Sequence, residues 1–234
     1  MRYEEFTIEG RNAVIEAYRA GRPIDKLFIL DGCQDGPILT IKREAKAKQT
    51  PVKFVTKERL DQLSETGKHQ GVIAYAAAYE YATVEEILDN ARQKGEAPFL
   101  FLLDNIEDPH NLGAIIRTAN LAGAHGVIVP KNRAAGLTAV VAKTSAGALN
   151  FTPVARVTNL AKTIEELKKE GIWFVCADMD GEMMYNLNLK GPIGLVIGNE
   201  GEGVSSKRIP HHPDHAGYDE YTFHDKCGRL SLVD

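Results

Sequence analysis

Two segments hold the side chains best suited to chemistry on a polar substrate. The first is Asp104-Asn-Ile-Glu-Asp-Pro-His-Asn-Leu-Gly-Ala-Ile-Ile-Arg-Thr-Ala119, and the second is Leu195-Val-Ile-Gly-Asn-Glu-Gly-Glu-Gly203. In the first, Asp108-Pro109 biases the chain into a turn, and Asn111 reads as a helix N-cap. Gly113 admits close backbone approach. Arg117 follows six residues after Asn111, read as within the first two turns, and a guanidinium there could grip a phosphate bidentately. In the second, Gly198 to Gly203 resembles a glycine-rich nucleotide loop. It is not Gly-x-Gly-x-x-Gly, and no Lys-Ser/Thr follows it, which disfavours a dinucleotide site or a phosphate-binding P-loop. Glu200 and Glu202 would repel phosphates, so the loop suits a cationic or uncharged ligand. Each residue alone also has a plain reading: Asn111 as a cap, Asp104 as a turn former, Arg117 as an ion-pair partner.

Both segments directly follow apolar runs. Phe99-Leu-Phe-Leu-Leu103 reads as a buried parallel strand, and Ile193-Gly-Leu-Val-Ile197 as another. Between them, helices are expected over 111–122, 137–149 and 159–170, with strands at 126–129 and 172–177. Alternation at this spacing implies a parallel, doubly wound sheet, whose ligands bind beyond the C-terminal strand ends. Residues 1–78 read as a separate small α/β unit, 79–97 as a linker carrying an amphipathic helix, 98–205 as the catalytic domain and 206–234 as an atypical tail. In the first unit, Lys42 to Arg59 holds seven Lys/Arg against Glu44 and Glu58. A helix over 37–49 would present Lys42, Arg43, Lys46 and Lys48 outward. Such a face is either merely solvated or collects phosphate backbone by counterion release.

Composition sets the bounds. The chain has 234 residues, 44% of them hydrophobic, and a net charge of −4, so a nucleic-acid partner must be argued from local patches. No apolar run approaches the ~20 residues needed to span a bilayer. The charged N-terminus lacks a signal-peptide core. Three scattered cysteines without a Cys-x-x-Cys point to a reducing cytoplasm, and against a disulfide framework or a zinc site.

The two segments resemble the first and second motifs of the SpoU (TrmH-like) family of RNA ribose 2′-O-methyltransferases. Gly123-Ala-His-Gly-Val-Ile-Val-Pro130 and Thr144-Ser-Ala-Gly-Ala-Leu149 are similar to that family's intervening segments. His69-Gln-Gly-Val72 is similar to the small substrate-recognition domain of its RlmB-like branch. The resemblance covers roughly residues 4 to 205. It implies a SPOUT-type α/β fold with a C-terminal trefoil knot, S-adenosyl-L-methionine as cofactor, and a homodimer in which both chains contribute to the site. It further implies Arg117, Asn111 and Glu200 as catalytic residues. Ile197, Gly198, Asn199 and Gly201 would line the cofactor. Lys42, Arg43, Lys46, His69 and Gln70 would meet RNA, with a guanosine of 23S ribosomal RNA as the expected target. A transfer RNA is the alternative target.

The family's third motif, with its Ser and Asn and a following apolar helix, has no counterpart. The chain instead reads Ser206-Lys-Arg-Ile-Pro-His-His-Pro-Asp-His215 and continues to Asp234 with no strand run and no helical period. Pro213 prevents the helix that would align His211 with His215, so no metal site is expected. A reading frame shifted near Ser205 would produce such a tail, expected to be disordered. Two other readings follow: a catalytically inactive RNA-binding remnant that uses only the first unit, and an ordinary doubly wound nucleotide enzyme, which the glutamates at 200 and 202 disfavour.

Overall fold

The structure is a computed structural model that describes residues 6–77, 79–186, 188–199, 201, 203–205, 209 and 229–232. The chain forms two compact units, Met1–Glu80 with Gly136–Ala142, and Tyr81–Ala135 with Lys143–Asp234.

The first unit runs β1 (Phe6–Glu9), α1 (Arg11–Arg19), β2 (Ile24–Leu30), α2 (Gly36–Ala47), β3 (Val52–Val55), α3 (Lys57–Leu63) and β4 (Val72–Ala76). Its sheet has the order β1-β4-β2-β3, parallel only between β2 and β3. Strand β2 is buried on both faces because its two sets of side chains point opposite ways. Leu27 and Ile29 pack under α1 and α2 against Val14, Ile38 and Ile41, whereas Phe28 packs with Leu60 of α3 and Ile73. Helix α2 starts where the residue order says it should. Asp35 accepts a hydrogen bond from the Ile38 amide at 3.2 Å, and Pro37 sits in the first turn, where its missing N–H costs nothing. Strand β1 is tied down by Glu9, whose carboxylate accepts from Ser64 Oγ (2.6 Å), Thr66 Oγ1 (2.6 Å) and the Glu65 amide (2.6 Å). Partial burial works against its charge, but the hydroxyl and amide donors win and hold its pKa down to about 2.

The second unit runs α4 (Val84–Lys94), β5 (Phe99–Leu103), α5 (Pro109–Leu121), β6 (Gly126–Pro130), β7 (Val154–Val157), α7 (Leu160–Lys169), β8 (Trp173–Met183), β9 (Ile193–Ile197) and β10 (Arg229–Leu232), while most of α6 (Ala139–Thr144) falls in the stretch that belongs to the first unit. The sheet order is β10-β8-β9-β5-β6-β7. Strands β8 to β7 are all parallel, as the continuous apolar runs require, and β10 lies antiparallel on β8. The segment read as a connector supplies α4, which opens on a Thr83–Glu86 capping box and closes on Gly95 at φ 68°. Its Ile87 and Leu88 join Leu100, Leu102 and Phe174 of the sheet and Ile164 and Leu167 of α7 in one buried cluster. Ile209 is 2% exposed in that same cluster, so this position after the second motif contributes a core side chain. The expectation of a tail without a strand is corrected by β10. Its Arg-Leu-Ser-Leu is too short to register as a run, and its main chain is recruited by the long β8.

Candidate functional site

The winding of the second sheet fixes the place of the site. The chain lays down β5, moves outward through β6 and β7, then crosses to β8 and returns with β9 beside β5. Strands β5 and β9 therefore flank the point where the strand order reverses, with Leu103 in register with Ile197. The loops that follow them begin side by side, where open parallel sheets take their ligands. Both polar segments of the sequence meet at this point.

Short hydrogen bonds latch the two loops. The Asp104 amide donates to the Ile197 carbonyl at 2.8 Å, and the Ser205 amide donates to Asp104 Oδ2 at 3.0 Å. Asn199 Nδ2 donates to the Asn105 carbonyl at 3.2 Å, while Asn199 Oδ1 accepts from the Gly201 amide at 2.8 Å. Asn199 and Gly203 also exchange backbone bonds of 3.2 and 2.8 Å. Asn105 at φ 62° and Gly203 at φ 66° make the tight reversals, residue types that tolerate the left-handed region. Gly198 has no alternative, because a Cβ there would run into the backbone of Gly203 and Val204. Asp104 is 2% exposed, so this is a buried, charge-assisted latch.

Beside the latch lies a cavity of about 720 Å³, lined by Ile197 and Gly198, by Phe99, Phe101, Ile193 and Leu195 of the strands, and by α5. Its helical wall is Asn111, Ala114, Ile115, Thr118 and Ala122, a stripe at three- and four-residue spacing. Small and apolar groups dominate, with Asn111 and Thr118 as polar points. The size lies within the range of small-molecule sites, roughly 300–1,000 Å³.

Several expectations change at α5. Asn111 is not its N-cap: Asp108 is, accepting from the His110 amide at 2.9 Å, with Pro109 in the first turn. An Asp-Pro pair supplies both the cap and the pre-set φ, so the helix starts earlier than Asn111 and frees that side chain to face the cavity. Arg117 consequently sits in the third turn rather than within the first two. It is exposed, and lies roughly a third of a turn off the stripe that faces the cavity. Among the described residues it has no ion-pair or hydrogen-bond partner. The structure therefore does not bring Asn111 and Arg117 together. Gly113 does what its type suggested: it is buried, and a Cβ would collide with the Thr144 side chain. Glu200, and His211, His212 and His215 of the tail, lie outside the described residues. Ile197 and Gly198 line the cavity, whereas Asn199 and Gly201 hold the loop.

In the first unit, the proposed RNA-facing residues divide. Arg43 and Lys46 are exposed. Lys42 is half-buried, its ammonium donating to the Cys33 carbonyl at 2.9 Å and lying 5.1 Å from the Phe54 ring centroid. His69 is 7% exposed and occupied on both nitrogens: Nδ1 accepts from the Gly71 amide at 3.0 Å, which puts the proton on Nε2 to donate to Asp61 at 2.9 Å. Gln70, at φ 51°, accepts from Arg11 through its side chain (3.3 Å) and its carbonyl (3.0 Å). Both residues brace the turn before β4.

Sequence reasoning passed over two cations at the C-terminal ends of β6 and β7. Burial lowers the pKa of Lys131, and the Arg156 guanidinium adds to this; Arg156 itself stacks on Tyr81 at 5.1 Å. Lys131 directly after a strand was the available signal. Among the described residues no cluster of His, Cys, Asp and Glu could hold a metal, and no helix is long and apolar enough to cross a membrane.

Comparison with known proteins bears on each unit in turn. Residues 98–215 match the SpoU rRNA Methylase family, and residues 7–82 match the RNA 2′-O ribose methyltransferase substrate-binding family. YacO of Bacillus subtilis (strain 168), assigned by name to the TrmH family of tRNA/rRNA methyltransferases, is 47% identical over 196 residues, which is 83% of this chain and 78% of that protein. A TrmH family protein of Staphylococcus haemolyticus (strain JCSC1435) is 44% identical over 203 residues, covering 86% of this chain and 81% of its own length. A solved structure of the SpoU methyltransferase AviRb from Streptomyces viridochromogenes, in complex with AdoMet, aligns with a TM-score of 0.49. Its identity is 23%, over 87% of this chain and 76% of that one.

Proposed function

The chain belongs to the SpoU rRNA methylase family, and from that premise we propose that it methylates a ribose 2′-hydroxyl of structured RNA, using S-adenosyl-L-methionine. The observation that carries the proposal is the pair of motif loops latched at the ends of β5 and β9 beside a cavity of about 720 Å³. The target we favour is a guanosine of 23S ribosomal RNA. A transfer RNA is the second reading, in keeping with the tRNA/rRNA naming of the relatives.

The residues present suit the cofactor. Phe101, Leu195 and Ile197 offer apolar walls for a purine, and Gly198 leaves backbone exposed to it. When bound along Ile197, Gly198, Asn199 and Gly201, the cofactor would supply an electrophilic methyl carbon on a sulfonium. The task left to the protein is positioning, because the ribose oxygen must approach that carbon in line with the departing sulfur. Asn111 lines the cavity, which supports a role in holding the ribose. The 2′-hydroxyl proton passes to the neighbouring RNA phosphate or to Glu200. Arg117 acts as a cation, gripping the phosphate and offsetting charge on the oxygen. Its position off the cavity-facing stripe supports a homodimer in which each chain's Arg117 serves the other's site.

The test is methyl transfer from radiolabelled S-adenosylmethionine to ribosomal RNA and to transfer RNA. The product is mapped by alkaline hydrolysis, which a 2′-O-methyl ribose resists. One protected position in 23S RNA, lost in Arg117→Ala, is the expected result. Label on a base, or no transfer to either RNA, would contradict the proposal.

A further inference from the structure

Four exposed or half-exposed positions of α2, Leu39, Lys42, Arg43 and Lys46, follow one another at intervals of three, one and three residues and so share one face. The neighbouring β3 is an edge strand of its sheet. Its Phe54 is 54% exposed, in a unit that otherwise buries its aromatic Phe28 and Tyr18. Lys42 lies over that ring, 5.1 Å from its centroid, and is steered there by its bond to the Cys33 carbonyl. Among the described residues, beyond the ring, Arg43 meets only the adjacent Glu44, at 3.6 Å, and Lys46 has no partner.

A solvated helix face explains Arg43 and Lys46 but not the phenyl ring. An exposed ring held by a cation at a rigid sheet edge, beside cations without strong partners, has the composition of a stacking platform for a single-stranded nucleic acid. An aromatic face accepts any unpaired base, while cations one helical turn apart follow its backbone phosphates. A duplex, whose bases are already stacked, could use the cations but not the ring.

We propose that this face, with Phe54 as the platform and Lys42, Arg43 and Lys46 as phosphate contacts, takes an unpaired nucleotide of the RNA substrate. It is a docking point distinct from the methyl-transfer site. The inference rests on the RNA reading above and deepens it: the first unit recognises a looped or single-stranded segment rather than a helix. It also moves recognition away from His69 and Gln70, whose polar groups serve the fold.

The full chain is titrated with a labelled unstructured ribonucleotide oligomer and with the same strand annealed to its complement. The single strand binds more tightly than the duplex. Phe54→Leu, which keeps an apolar side chain but no ring face, weakens single-strand binding about tenfold and leaves duplex binding unchanged; Phe54→Tyr restores it. The pair Arg43→Gln and Lys46→Gln flattens the salt dependence of log Kd by roughly 0.7 per cation removed. Single-strand binding unaffected by Phe54→Leu, in a chain of unchanged melting temperature, overturns the platform and leaves the RNA reading standing. A wild-type chain that binds neither form overturns both. Duplex binding at least as tight as single-strand binding overturns the preference proposed here.

Discussion

The two units would hold their ligands by different physics. In the second, the site is built of main chain. Asp104 and Asn199 spend their polar groups on backbone amides and carbonyls, and Gly198 lies so close to Gly203 that no side chain fits. In the first, the basic face is built of long side chains around one ring, with few bonds to fix them. A preorganised backbone cradle gives shape selection and is nearly indifferent to salt. A set of flexible cations gives affinity for any polyanion and loses it as salt rises. A small cofactor of fixed shape calls for the first arrangement, and a long, variable RNA strand for the second.

Gly198→Ala should break this contrast most severely. The added methyl must push the 203–204 backbone aside, at a cost of about 3 kcal/mol in overpacking, and S-adenosylmethionine affinity should fall about 100-fold by calorimetry. RNA binding should survive, because the first unit is untouched. A salt series on the wild-type chain sharpens the contrast without mutation. Between about 50 and 200 mM salt, three phosphate contacts on a single strand should cost roughly 20-fold in RNA affinity, while cofactor affinity barely moves. Asp104→Ala follows in size. Loss of the Ser205 latch leaves a half-buried amide without its acceptor, a change of about 1.5–3 kcal/mol, seen as a lower melting temperature and at least about tenfold weaker cofactor binding.

The smallest effect should come from Glu9→Gln in the first unit, about 1 kcal/mol at neutral pH by denaturant unfolding, a figure kept low because the carboxylate is only partly buried. Because the folded pKa is depressed, the stabilisation is fully present above the ordinary carboxylate range. It is lost as pH falls through about 2, so the gap between wild type and variant should close from about pH 5 downward. A constant gap across that range would remove Glu9 as the cause.

Much of the catalytic architecture was legible because long apolar runs are unambiguous. Phe99–Leu103 and Ile193–Ile197 can only be buried parallel strands, and once they are placed, the polar residues that follow them must lie at their C-terminal ends. Two short edge strands were not legible. Phe6–Glu9 and Val154–Val157 are four residues each, with Arg156 interrupting the second, so their pairing is decided by neighbours and not by pattern. Direction was the other gap. A sequence shows that His69 is polar and that Arg117 follows a helix start. It does not show that His69 turns inward to Asp61 and Gly71, or that an earlier start at Asp108 rotates Arg117 off the cavity while turning Asn111 toward it. Phe54 was missed for a related reason, since a phenylalanine in a strand is ordinarily core, and only its exposure marks it.

The most direct test of the central claim is a calorimetric titration of the purified chain with S-adenosylmethionine, run beside Gly198→Ala. Saturable binding near one site per chain, lost in the variant, is the expected result. A folded wild-type chain that takes up no cofactor, or a variant that binds it equally well, would contradict the assignment of the β5–β9 loops as the methyl-transfer site.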